Sequence, residues 1–115
     1  QLHARFEDTL DPADPGAPSI ADIDAIMDFV DGLPKDARLM IHCLQGSTRG
    51  AAVALGILAR YISPDKAGQT IFRACANAAP NPLLVALWDR ALGLDGKLIK
   101  AGRKFPTAGL RRAVA

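Results

Sequence analysis

Two dipeptides set hard limits on how this chain can fold. Proline at the first position of a helix loses nothing, because its missing N–H would be unbonded there, and a serine or asparagine before it can cap the free N–H groups of the first turn. Ser63-Pro64 and Asn81-Pro82 each predict a helix start. The first helix is expected to end near Ala79. The second runs through Leu83, Leu84, Leu87 and Trp88 and stops at Gly93. A further start lies upstream, where Ser19 and Asp22 make a capping-box-like S-x-x-D. Ile20, Ile23, Ile26, Met27 and Val30 then recur at helical spacing until Gly32 and Pro34 break the run, predicting a helix over about 20–31.

Between these helices the pattern changes. Arg38 to His42 is apolar and compact, with polar residues before it and a glycine-bearing loop after it, which suits a buried strand. Residues 2–6 form a second, weaker strand candidate, and DPADPGAP (11–18) is irregular. From Gly50 to Tyr61 the residues are small or apolar, the composition of a helix lying close against a sheet. Element types alternate without an internal repeat, so the expected class is α/β.

A chain of 115 residues, 50% of them hydrophobic, suits one domain with a modest core. The net charge of +2 gives no strong case for nucleic acid or an acidic membrane as partner. No apolar run approaches a membrane span and no secretion signal opens the chain, so a cytoplasmic protein is expected. Two cysteines make no disulfide framework, and two distant histidines give no metal-ligand spacing; Cys43 and Cys75 are expected as reduced thiols, with no metal and no cofactor. Residues 96–115, with Lys97, Lys100, Arg103, Lys104, Arg111 and Arg112, read as a basic tail that is solvated or frayed.

The corner LMIHCLQGSTRG (39–50) is where chemistry is expected. A loop curling over a helix N-terminus surrounds an anion with backbone N–H donors and the positive end of the helix dipole. Gly46 would permit the tight curl, and Arg49 would fold its planar fork over the anion. Cys43, at the bottom of such a cradle, would ionise well below the free-thiol value of about 8.5 and act as a nucleophile. His42 would organise the loop, while the backbone of Leu44, Gln45, Ser47 and Thr48 forms its wall. Asn81 is first a helix cap and secondarily a prop for this loop.

Residues 42–49, His-Cys-Leu-Gln-Gly-Ser-Thr-Arg, match H-C-x-x-G-x-x-R, and the chain resembles the cysteine-based protein tyrosine phosphatases, in particular their compact dual-specificity-like bacterial branch. Pro80-Asn81 opening a helix strengthens the likeness, which extends over residues 6–95. It implies a phosphatase-like domain over 1–95 with a small, mostly parallel central sheet flanked by helices. It also implies hydrolysis of phosphate monoesters, on phosphorylated protein or a small molecule, through a cysteinyl-phosphate intermediate. The family's general acid is an upstream aspartate on a loop. Asp8 looks most like that position, Asp11 is the alternative, and Asp14 is the outsider.

Two departures carry consequences. The family's usual serine or threonine after the arginine is Gly50 here, so release of thiolate from the intermediate is expected to be slow. Almost nothing precedes the general-acid loop, so the usual N-terminal strands are missing and a fragment, a processed product or a small member completed by a partner is expected. A catalytically impaired module that binds phosphate or a phosphoprotein is the alternative, and an arsenate reductase or sulfurtransferase-like thiol enzyme is more distant. Cys75 and Trp88 are expected in the core and His3 in solvent.

Overall fold

The structure, a computed structural model, describes residues 2–39, 41 and 48–105. Five helices follow one another: α1 (Ile20–Asp31), α2 (Arg49–Leu58), α3 (Pro64–Ala74), α4 (Pro82–Leu92) and α5 (Lys97–Gly102). No strand occurs among the described residues, so the expectation of an α/β fold around a mostly parallel sheet is overturned. The physical reason is pairing. A strand satisfies its backbone groups only against a neighbour, and neither candidate has one among the described residues. Residues 2–6 bury Phe6 alone, and the Glu7 N–H closes a loop onto the Gly16 carbonyl at 2.7 Å. Arg38 and Leu39 are exposed and Ile41 is half-buried, while Met40 and His42 lie outside the described residues.

Helix starts fall where the caps put them. Ser63 Oγ accepts the Lys66 N–H at 3.3 Å, Asn81 Oδ1 accepts the Leu84 N–H at 3.1 Å, and the Asp22 carboxylate accepts the Ser19 N–H at 2.8 Å. Gly93, at φ 64°, ends α4 in the left-handed region that glycine enters without a Cβ clash. Two ends differ from expectation. Helix α2 stops at Leu58, before Tyr61, and α3 stops at Ala74 rather than near Ala79. Pro80 disfavours helical backbone at Ala79, and the chain turns there to bury Ala78, Ala79 and Pro80. Cys75 consequently ends α3 in extended backbone and is exposed, against its expected place in the core.

Residues 97–105 also correct the sequence reading. Instead of a solvated tail they form α5 and its closing turn, with Leu98, Ala101 and Phe105 buried and Lys97, Lys100, Arg103 and Lys104 exposed. Asp89 explains why so short a helix holds. Its buried carboxylate accepts the Gly96, Leu98 and Ile99 N–H groups at 2.9, 2.8 and 3.1 Å, satisfying donors that the first turn leaves free. Residues 106–115 lie outside the described residues.

Helix α4 occupies the centre, packed on α1, α2 and α5, while α3 lies against α2 and α5. Trp88, Ile23, Leu55, Leu84 and Leu98 are the largest fully buried side chains. The small residues of α2 serve close contact with α4 rather than with a sheet: a Cβ on Gly56 would overlap the Trp88 ring. No helix among the described residues is long and apolar enough to cross a membrane.

Candidate functional site at the start of helix α2

Of the expected phosphate loop, His42, Cys43, Leu44, Gln45, Gly46 and Ser47 lie outside the described residues; Thr48 and Arg49 are placed. Thr48 is the N-cap of α2 and Arg49 its first residue, so Arg49 stands at the positive end of the helix. The surroundings come from two distant parts of the chain. The Asp8 carboxylate accepts the Thr48 hydroxyl at 2.8 Å and the Asn81 amide at 2.7 Å. Asn81 also donates through the same Nδ2 to the Thr9 carbonyl at 3.1 Å, and its backbone N–H donates to the Thr48 carbonyl at 3.1 Å.

Asn81 thereby does three things at once. Its side-chain oxygen caps α4, its side-chain nitrogen fixes residues 8 and 9, and its backbone anchors the end of the expected phosphate loop. Both Asn81 and Thr48 are buried, so these bonds lie where an unmade partner would be costly. An ordered polar junction results, built from residues 8–9, 48 and 81.

Arg49 reaches the same segment. Its Nη1 donates to the Phe6 carbonyl at 3.1 Å, and its buried Nε has no hydrogen-bond partner among the described residues. Arg49 forms no ion pair among the described residues, so the carboxylate beside it is bonded to Thr48 and Asn81 while the guanidinium charge stays available. The arrangement offers a cation, a helix N-terminus and a carboxylate on one side of α2.

The three aspartates separate cleanly. Asp8 joins the α2 start; Asp11 accepts the Ala13 N–H at 2.9 Å and Asp14 the Gly16 N–H at 2.9 Å, both within exposed local turns. Gly50 is buried in the first turn of α2. The loop pattern weights the Thr48 backbone above its side chain and does not reveal the bond of its hydroxyl to Asp8, since a threonine in a loop carries no mark of a partner forty positions away. No cluster of three His, Cys, Asp or Glu side chains is placed to hold a metal ion among the described residues. No family model, curated protein or solved structure matches the chain.

Proposed function

We propose that the chain hydrolyses phosphate monoesters, with Cys43 as nucleophile, Arg49 as the phosphate-binding cation and Asp8 as general acid and base. The helical architecture lends this reading nothing; it rests on the residues of the motif and on one contact. That contact is the 2.8 Å hydrogen bond between Asp8 and Thr48, which brings the favoured acid to the residue next to Arg49. A loop acid with only a solubility role has no need of a buried partner so far along the chain.

In the proposed reaction the Cys43 thiolate attacks phosphorus, an S–P bond forms and the ester P–O bond breaks. A protonated Asp8 gives its proton to the leaving oxygen. Water then attacks phosphorus, Asp8 takes its proton back, and the S–P bond breaks to release inorganic phosphate and thiolate. Arg49 spreads its two-pronged donors over the equatorial oxygens, where charge is distributed in the transition state. A thiol used in this way stays reduced most readily in a reducing compartment, which supports a cytoplasmic location.

Cys43→Ser is expected to abolish hydrolysis of an aryl phosphate while leaving oxyanion binding intact, because the proposed cradle relies on backbone N–H donors rather than on the thiol. Hydrolysis at the parent rate in that variant would remove covalent catalysis by Cys43. Arg49→Lys keeps the charge and loses the fork, so kcat/KM should fall by about tenfold or more, ~1.4 kcal/mol.

A second reading has its own observation. Asp8 is held as an acceptor by two donors, Thr48 and Asn81, which engage both of its carboxylate oxygens. With Gly50 in place of the usual hydroxyl, the same site would bind phosphate without turning it over. Phosphate binding by the parent chain with no aryl phosphate hydrolysis is the result that selects this reading.

A further inference from the structure

Helices α3 and α5 enclose a groove of about 310 Å³ that the α2 site does not use. Buried Gly68, Ala101 and Phe105 form its floor. Phe72 stands over it, 48% exposed, its ring tilted 57° to that of Phe105 with the centroids 5.8 Å apart. Arg73 and Lys104 lie at the rim, where Lys104 is paired with Asp65 at 3.2 Å and Arg73 has no ion pair among the described residues.

Charge is concentrated on these two helices and the turn that closes the second. Lys66, Arg73, Lys97, Lys100, Arg103 and Lys104 are all exposed, and Asp65 is the one acid within residues 64–74 and 97–105, although the whole chain carries only +2. An aromatic lining beside Arg73, which has no ion pair among the described residues, on two helices rich in exposed cations, selects for an occupant that is anionic and carries a large apolar side chain. A flat basic patch would suit nucleic acid or lipid headgroups; a concave aromatic slot between two helices suits a peptide anchor.

We propose that this groove docks an acidic segment of a partner protein, seating one aromatic side chain against Phe72 and Phe105 with the segment's carboxylates toward Arg73 and Lys104. The proposal is independent of the chemistry at Cys43, and binding is read without any turnover.

Fluorescence anisotropy of the full chain with a labelled peptide, one phenylalanine flanked by glutamates, is the test. Saturable binding is expected, weakened about tenfold or more by Phe72→Ser and by Arg73→Glu and tightened by Asp65→Asn, which frees Lys104. The substituted residues are exposed, and far-UV circular dichroism verifies that each variant is folded. Absence of saturable binding, or affinities unchanged across these variants, would overturn the proposal. So would equal affinity for an all-glutamate peptide, which marks simple ion exchange, or tighter binding of a single-stranded oligonucleotide or of phosphatidylserine vesicles that the peptide does not displace.

Discussion

The two halves of α2 are held by different physics. Its C-terminal half is dry: Gly56 lies against the Trp88 ring, and Leu55 is fully buried. Its N-terminal end is polar, with Thr48 bonded to Asp8 and Asn81 and Arg49 reaching the Phe6 carbonyl. Dry packing is non-directional and scales with area, whereas the polar end works only if each donor meets its acceptor. The difference separates a scaffold from a site: one half fixes the helix in the molecule, and the other fixes what the helix presents.

Substitutions at three positions probe this division, in falling order of effect. Trp88→Ala empties the centre of the core and should cost about 3–5 kcal/mol in denaturant unfolding; a cost below about 1 kcal/mol would mean that α4 is not the centre of the fold. Asn81→Ala removes the α4 cap together with the Asp8 bridge, for about 2 kcal/mol. Asn81→Asp sharpens that result, since it keeps a cap acceptor but sets a second carboxylate against Asp8. If the bridge matters, Asn81→Asp should be destabilised nearly as much as Asn81→Ala, and full retention of stability would reduce Asn81 to a cap. Thr48→Val deletes one buried hydrogen bond at nearly constant volume and should cost about 1 kcal/mol. Its effect on kcat should be larger than its effect on KM if Asp8 has the proposed role on the leaving group.

Local signals explain what was legible in the sequence. Ser19, Ser63 and Asn81 set three helix starts because a cap needs only residues within one turn. The expected strand over Arg38–His42 finds no pairing partner among the described residues, and a short apolar run by itself does not reveal whether a partner exists. The cations of residues 97–104 masked Leu98 and Ala101, whose burial depends on α4 and on the capping carboxylate of Asp89. At the site, Asp8 stands out because it looks most like the resembled family's general-acid position, yet the hydroxyl and amide that hold it come from residues 48 and 81. Contacts over such separations leave no periodicity to read.

The proposed function predicts a covalent intermediate, and its direct detection tests the claim most sharply. Rapid mixing of the parent chain with an aryl phosphate, acid quenching and mass spectrometry of the peptides should find one phosphoryl group on the peptide containing Cys43. The adduct should form in a burst ahead of slow turnover, because Gly50 supplies no hydroxyl to help the thiolate leave. Gly50→Ser should shrink the burst and raise the steady rate. Phosphate monoester hydrolysis with no phosphorylated Cys43 at any quench time, or a chain that binds phosphate and releases no phenol at all, would contradict the account.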